Sequence, residues 1–124
     1  MPTTPSYKDM PIWQRSMQLA VDIYQLTSQL PATERLGLGA TLQQAAVSIP
    51  TTIASGTKGG RSGFRAACLS GRQACAEVET LLLIIQQIYQ TISVDDLLAE
   101  TNDIQTALAG MAKRLEHAAS SKAV

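Results

Sequence analysis

Glycines and basic side chains are concentrated in one short stretch, SIPTTIASGTKGGRSG, which covers residues 48–63. A glycine-rich loop that carries a lysine can hold a phosphate group, because its backbone N–H groups converge on the anion and the lysine adds positive charge. The nucleotide-binding form of such a loop requires Gly-Lys followed directly by Ser or Thr, with a strand before it. Here Gly59 follows Lys58 and a helical pattern precedes the loop, so the sequence does not predict a nucleotide site.

The same loop can attract an anion in a less specific way. It lies just before a predicted helix, and the first N–H groups of a helix have no partner within that helix. We therefore interpret the loop first as a break between two helices and second as a candidate anion-binding loop. The residues assigned to that loop are Gly59, Gly60 and Ser62.

Charge is unevenly distributed along the chain, although the formal net charge is zero. Residues 35–76 contain five basic residues and no acidic residue, so this block carries +5. Residues 77–124 contain seven acidic and three basic residues, so this block carries −4. The basic residues of the first block are the candidate nucleic-acid contacts: Arg35, Lys58, Arg61, Arg65 and Arg72.

Two interpretations of this basic block remain open. Its residues either pair with acidic surfaces or are solvated, or they gather into a surface that attracts the phosphates of RNA or DNA. The neutral overall charge argues against the second interpretation, because dedicated nucleic-acid-binding domains are usually basic. The aromatic residue among the basic ones, Phe64, has the spacing of a core residue. Any binding is therefore expected to involve the phosphate backbone rather than stacking on bases.

The residues that could support catalysis or hold a metal are few. The single histidine, His117, lies near the C-terminus, and it is not placed to activate a serine or threonine. Cys68 and Cys75 are seven residues apart. That spacing corresponds to about 10 Å along a helix, so they cannot form a disulfide with each other. The sequence therefore predicts no catalytic residue, no metal site, no cofactor and no small-molecule substrate.

The acidic residues give no better candidate for a reactive pair. Glu77 and Glu79 are two positions apart and point to different sides of a helix. Asp96, Glu100 and Asp103 share a helix face, at spacings of four and three residues. We interpret that face as solvated, because a metal site inside a helical bundle also needs an inward Glu-x-x-His pair.

The spacing of apolar residues predicts four helices and no strand. Aromatic residues make up only 4% of the chain, so the core must consist of Leu, Ile, Val and Ala, which suits packed helices. In the first helix the predicted core stripe consists of Trp13, Met17, Ala20, Tyr24 and Thr27, widened by Val21 and Ile23. In the third, small residues such as Gly71 would let a neighbouring helix approach closely. The predicted helices cover residues 12–29, 33–56 and 62–91, and a fourth starts near Ser93.

Three residues are predicted to shape the helix ends and axes. Pro50 lies inside the second helix, where it removes a backbone hydrogen bond, so we expect a kink rather than a break. Gly56 is predicted to end that helix as a left-handed cap. Ser93 is predicted to cap the fourth helix, with Asp96 completing a capping box.

These elements predict an all-α fold, an antiparallel up-down four-helix bundle with helix two kinked at Pro50. Residues 1–117 are predicted to form this single domain and residues 118–124 a flexible C-terminal tail. The second half of the third helix reads LLLIIQQI and is apolar on nearly all sides. Such a helix needs more partners than one monomer usually offers, which favours self-association.

Several short motifs follow one another along the chain in a distinctive order, over residues 7–115. Their residues are Trp13, Gln14, Tyr24, Pro31, Glu34, Gln43, Ala46, Ser48, Ile49, Pro50, Glu77, Glu79 and Thr80. In that order and spacing they resemble the four-helix bundle protein family of the 23S rRNA intervening sequences. The chain departs from the usual pattern at Thr52 and Ser55, where the family has Asn and Glu, so no role of those two residues is carried over. It also has Ala67 and Cys68 where the family has Phe-Leu.

The resemblance implies a homo-oligomer, because members of this family look like ring-shaped pentamers of bundles. It implies a non-enzymatic scaffold or adaptor whose physiological role is not established. The alternative is a nucleic-acid-binding accessory protein of a diversity-generating retroelement, because the family is related to pentameric bundles that bind a reverse transcriptase and its template RNA. The partners implied are therefore the chain itself and, in the alternative, a reverse transcriptase and its RNA.

The start of the chain, MPTTPSYKDMPIWQRS, lacks the basic start and apolar run of a signal peptide. The longest purely apolar run, LLLII, is far shorter than the roughly 20 residues that span a bilayer. We therefore expect a cytoplasmic protein without a membrane partner.

Overall fold

Four long helices dominate the structure, a computed structural model that describes the backbone of residues 6–122 and the side chains of residues 6–116. No strand occurs within the described backbone, so the predicted all-α class is confirmed. A short 3-10 turn, Tyr7–Asp9, precedes the first long helix. The four helices are α1 (Pro11–Thr27), α2 (Ala40–Gly56), α3 (Gly60–Ile88) and α4 (Asp95–Lys122).

The helices surround one apolar core. The main contacts join α1 to α2, α2 to α3, α3 to α4 and α4 to α1, which is the neighbour relation of a bundle. Each fully buried aliphatic side chain contributes about 1.5–3 kcal/mol relative to an exposed one, so this core accounts for much of the stability. Its largest fully buried members include Leu19, Ile23, Leu42, Ile49, Ile53, Val78, Leu82, Ile85, Ile104 and Leu108.

The core stripe predicted for α1 is partly wrong: Ala20, Ile23 and Thr27 are buried as expected, but the buried side is shifted by about one position from the rest. Met17 and Tyr24 are 41% and 51% exposed, and the buried side of the helix instead carries Ser16 and a run of aliphatic residues. Ser16 interrupts the apolar pattern in the sequence. It fits in the core because its hydroxyl donates a 2.7 Å hydrogen bond to the carbonyl of Ile12. The remaining buried residues of α1 are Ile12, Leu19, Ala20, Ile23, Leu26 and Thr27.

The chain enters α2 through an unusual turn rather than a regular helix from Thr33. One helical turn, Ala32–Glu34, leads into a π-helical segment, Arg35–Gly39, before α2 begins. The Tyr89 hydroxyl, just after α3, donates a 2.9 Å hydrogen bond to the Glu34 carboxylate and ties this turn to the bundle. Gly39 is buried, and a side chain there would lie 3.3 Å from the Glu34 carbonyl oxygen.

Pro50 does not end α2, and Gly56 is its last residue without adopting a left-handed conformation. The helix α2 continues through Pro50, which is buried, so the expectation that Pro50 does not break the helix is confirmed. The prediction that Gly56 is a left-handed cap is wrong, because the residue that follows the helix, Thr57, has φ −64° and the only left-handed residue in the described part of the chain is Gly60, with φ +70°.

Gly56 has a different role, the close approach of α2 to α3. A methyl group at Gly56 would overlap the Cβ of Ala67 on α3. Gly71, four residues after Ala67, plays the same part toward α4, where a Cβ would lie 2.9 Å from the Leu108 Cδ1. The predicted close packing along the small residues of α3 is therefore confirmed at two contacts.

The fourth helix starts later and extends further than the sequence predicts. Its first residue is Asp95, and the carbonyl of Val94 accepts a 2.9 Å hydrogen bond from the Leu98 N–H, so Val94 occupies the cap position predicted for Ser93. The helix continues to Lys122, so the predicted flexible tail, residues 118–124, begins inside it. Residues 123–124 lie outside the described part of the chain. Over the described residues, no helix combines the length and apolarity needed to cross a bilayer.

Replacing Gly56 with alanine should destabilise the fold. The new methyl group would collide with Ala67, and a collision between backbone-fixed atoms in a packed seam costs about 1–3 kcal/mol. Urea unfolding should show this loss as a lower midpoint. Gly37→Ala is the matched control, because its nearest neighbour would be the Glu34 Oε1 at 3.8 Å. A Gly56→Ala protein as stable as the wild type would disprove the close-approach argument.

Candidate nucleic-acid interface

A turn of three residues, Thr57, Lys58 and Gly59, separates α2 from α3. Its N–H groups are already used: Lys58 N donates to Ser55 O and Gly59 N donates to Gly56 O, each at 3.1 Å. The interpretation of this stretch as a helix break is therefore confirmed. Gly59 cannot offer its N–H to an anion in this conformation, which corrects its assignment to the anion-binding loop.

The first turn of α3 provides the remaining part of that loop. Gly60 is left-handed, and nothing lies within 4 Å of the position a side chain would occupy, so its backbone is open to solvent. The first internal helical bond in this region runs from Gly63 N to Gly59 O, at 3.3 Å. The N–H groups of Gly60, Arg61 and Ser62 therefore lie at the start of the helix, where the helix dipole favours negative charge.

Three of the candidate arginines share one side of α3. Arg61, Arg65 and Arg72 are four and seven residues apart, and such spacings keep side chains within about 40° of each other around a helix. We call these three residues the basic flank. Arg61 and Arg72 are exposed, as is Lys58 in the turn, whereas Arg65 is partly buried.

Arg65 is engaged with the acidic half of the chain. Its Nη2 lies 3.6 Å from the Glu116 Oε2 of α4, which is an ion pair but too long for a hydrogen bond. Its Nε is buried and has no hydrogen-bond partner among the described residues. One basic residue thus pairs with an acidic helix, as the first of the two interpretations expected, while no ion pair involving Lys58, Arg61 or Arg72 is found in the described part of the chain.

Arg35 does not belong to this surface. It precedes α2, whereas Lys58 follows it, and the 17 residues of α2 separate the two by about 25 Å. The Arg35 guanidinium instead lies 3.4 Å from the carbonyl oxygen of Ser28, at the end of α1. Lys58, Arg61 and Arg65 therefore lie near one end of α2 and Arg35 at the other, while Arg72 lies about 18 Å along α3 from Gly60.

The sequence analysis missed two basic residues of α4, and one of them, Lys113, lies near the basic flank, whereas Arg114 lines a groove beside Arg15 of α1. Lys113 is exposed and precedes Glu116 by three residues, so the two side chains are neighbours on the helix. Arg114 is close enough to Cys68 of α3 to lower the pKa of that thiol. Both residues were counted with the acidic block because they are near it in sequence. The pairing of α3 with α4 was the missing information.

The acidic face of α4 is occupied by an arginine from α1. Arg15 binds Glu100 with two hydrogen bonds, of 2.9 and 3.1 Å, and its Nη2 lies 3.5 Å from an Asp103 oxygen. The hydrogen bonds to Glu100 raise the pKa of Arg15. No group of three or more metal-binding side chains occurs in the described residues.

The two cysteines are buried in the core and are not joined in a disulfide. Burial raises the pKa of Cys75 to about 11, and the nearby Glu79 carboxylate adds to this effect. Burial also raises the pKa of Cys68, against the opposing effect of Arg114. Both thiols therefore stay protonated at neutral pH and are poor nucleophiles.

Comparison with known families supports the resemblance noted in the sequence. The family model described as 23S rRNA-intervening sequence protein matches residues 8–110, which is most of the chain. The chain belongs to the 23S rRNA-intervening sequence protein family. None of the curated proteins compared with it matches significantly. In this member of the family, the matched region includes Lys58 and the whole basic flank but ends before Lys113 and Glu116.

The thiols of this family member should be unreactive until it unfolds. In the folded state Cys75 ionises near pH 11, whereas an unfolded cysteine ionises near pH 9.0. The unfolded state therefore loses its proton first as the pH rises, and the free energy of unfolding should fall between these two values. At pH 8 a thiol reagent such as DTNB should react slowly with the native protein. In urea it should react rapidly with both thiols of the unfolded protein. Rapid reaction of both thiols in the native protein would contradict their burial.

Proposed function

We propose that this protein is a non-enzymatic scaffold or adaptor that assembles with itself into a ring, of five subunits as the family resemblance implies. One observation carries this proposal: two apolar stripes lie exposed on α1 and α3, the two helices that are not paired in the main contacts of the bundle. The α1 stripe consists of Met17, Val21 and Tyr24, and the α3 stripe of Ile84 and Ile88, which are four residues apart on one helix face.

Both stripes have the properties of an interface. Their side chains are between 39% and 57% exposed, and exposed apolar patches on a soluble chain mark contact sites. The residues around them are mainly uncharged: Gln14 and Gln25 lie near the α1 stripe, and Gln87 lies near the α3 stripe. Depletion of charge is typical of the centre of a protein–protein interface.

The positions of the stripes favour a ring over a symmetric dimer. Two different surfaces on opposite helices cannot meet within one subunit, but the α1 stripe of one copy can pack on the α3 stripe of the next. Such a head-to-tail contact produces a closed ring when the rotation between copies closes.

The finer features of the fold belong to the same proposal. We propose an up-down antiparallel order of the helices, because contacts between α3 and α4 pair rising with falling residue numbers: Arg65 with Glu116, then Gly71 with Leu108. We also propose that Pro50 bends α2, because a proline lacks the N–H that would bond to the preceding turn. The bend would set the direction in which the turn with Lys58 is presented.

Mixing two interface variants tests the head-to-tail ring. Val21→Glu should disable only the α1 stripe and Ile88→Glu only the α3 stripe, because a charge in an apolar interface is costly to bury. Each variant alone should sediment as a 13.2 kDa monomer. The mixture should give a heterodimer, because each pair then retains one intact α1 stripe and one intact α3 stripe.

The control variant is Asn102→Glu, which places the same charge on an exposed residue of α4, a helix that carries neither stripe. It should keep the wild-type oligomer. A wild-type protein that is monomeric at micromolar concentration would exclude self-assembly. If Val21→Glu dissociates the oligomer while Ile88→Glu does not, the contact is symmetric through α1 and the ring is wrong.

The second candidate function is the nucleic-acid-binding accessory protein of a diversity-generating retroelement, acting with a reverse transcriptase and its template RNA. The observation that favours it is the group of exposed cations formed by Lys58, Arg61 and Arg72 at one end of α2 and along α3. A ring would repeat this group in every subunit and raise the local field. A reverse-transcriptase gene beside the gene for this protein would favour this candidate over the scaffold.

Salt dependence tests the second candidate. The wild-type protein should bind duplex DNA at low salt, and its affinity should fall steeply as salt rises, with a log–log slope of about −0.9 per phosphate contact. Changing Lys58 and Arg61 together to alanine should reduce the slope by about two contacts without changing the oligomeric state. Arg35→Ala is the control, because it removes the same kind of charge about 25 Å away. Fluorescence anisotropy at several salt concentrations measures all three proteins, and an absence of wild-type binding at low salt would exclude the candidate.

A further inference from the structure

We propose that Lys113 of α4 is a phosphate contact for duplex nucleic acid and that Glu116 competes with the phosphates for Arg65. This inference rests on the second candidate function and deepens it. It assigns roles to Lys113 and Glu116, which lie beyond the family match that ends at residue 110. It also means that a residue of α4 changes the affinity of the basic flank on α3.

The position of Lys113 follows from the contact between α3 and α4. Glu116 lies beside Arg65, with 3.6 Å between their charged atoms. Lys113 is three residues before Glu116 and therefore on the adjacent part of the α4 surface, where it is exposed. The basic flank of α3 and the Lys113 side chain thus border the same stretch of the α3–α4 interface.

The contact of Arg65 with Glu116 is weak enough to be displaced. Its length exceeds that of a hydrogen bond, and the Glu116 side chain is 61% exposed, so water screens much of the attraction. The Arg65 Nε is buried without a hydrogen-bond partner among the described residues. A phosphate has more acceptor oxygens than this single carboxylate contact uses, so it can take over Arg65 when it binds.

The length of the surface favours a polymer over a single phosphate. Arg61 and Arg72 are 11 residues apart, or about 17 Å along α3, which corresponds to about five base-pair steps of 3.4 Å. No aromatic side chain of the basic flank or its α4 neighbours is available for stacking on bases. The recognised group is therefore the phosphodiester backbone, which RNA and DNA duplexes share.

Four variants test the assignment, with labelled DNA and RNA duplexes of one sequence as probes. Glu116→Gln should raise the affinity about two- to fivefold at low salt, which is the range of an exposed ion pair. Lys113→Ala should lower the affinity and reduce the salt slope by about 0.9. Glu77→Gln and Arg35→Ala make the same charge changes at positions away from the basic flank. They should move the affinity less than Glu116→Gln and Lys113→Ala do.

The outcomes separate this inference from the candidate function beneath it. If the wild type and Glu116→Gln both fail to bind either duplex at low salt, the nucleic-acid function itself is wrong. If the wild type binds but Glu116→Gln matches Glu77→Gln, the competition is disproved. If Lys113→Ala matches Arg35→Ala, Lys113 is not a contact. Binding of polyglutamate but not of the duplexes would assign the surface to an acidic protein and overturn the proposal.

Discussion

The close approach of α3 to both of its neighbours is the constraint on which the rest of the structure depends. Gly56 of α2 has no room for a side chain against Ala67, and Gly71 has little room against Leu108 of α4. Two such seams fix how far α2 and α4 can slide along α3, because a shift would bring larger side chains into contact. They also bring the turn with Lys58 and the α4 residue Glu116 to the same half of α3.

The sequence predicted the elements that repeat a strong apolar period and missed those that depend on tertiary contacts. Helices α3 and α4 were located within a few residues, because their buried positions are nearly all apolar. The core side of α1 was misassigned because a buried serine, Ser16, interrupts the pattern and its hydrogen bond to Ile12 is invisible in the sequence. The π-helical segment Arg35–Gly39 was not predicted either, and the hydrogen bond that ties the turn before it to the bundle joins Glu34 to Tyr89, 55 residues away in the sequence.

The charged residues were harder to interpret from the sequence than the apolar ones, because charges pair between helices rather than along them. The basic block was counted as one unit, yet α2 separates Arg35 from Lys58 by about 25 Å. The acidic face of α4 was interpreted as solvated, yet Arg15 of α1 binds it with two hydrogen bonds to Glu100. Lys113 was counted with the acids although it lies beside the basic flank. Each of these corrections follows from which helices are neighbours.

The two proposed surfaces use different parts of α3 and do not compete for it. Arg72 and Ile84 are 12 residues apart, or about 18 Å along the helix and about 120° around it, so a contact through the α3 stripe leaves the basic flank accessible. A ring would then repeat a weak anion-binding surface in every subunit, and linked weak contacts bind a long polymer more tightly than one contact alone. Repetition of the basic flank would thus strengthen the binding of a polyanion to a chain whose net charge is zero. In such an assembly, a single carboxylate such as Glu116 would act once per subunit, so its small effect on one site would be multiplied along the bound duplex.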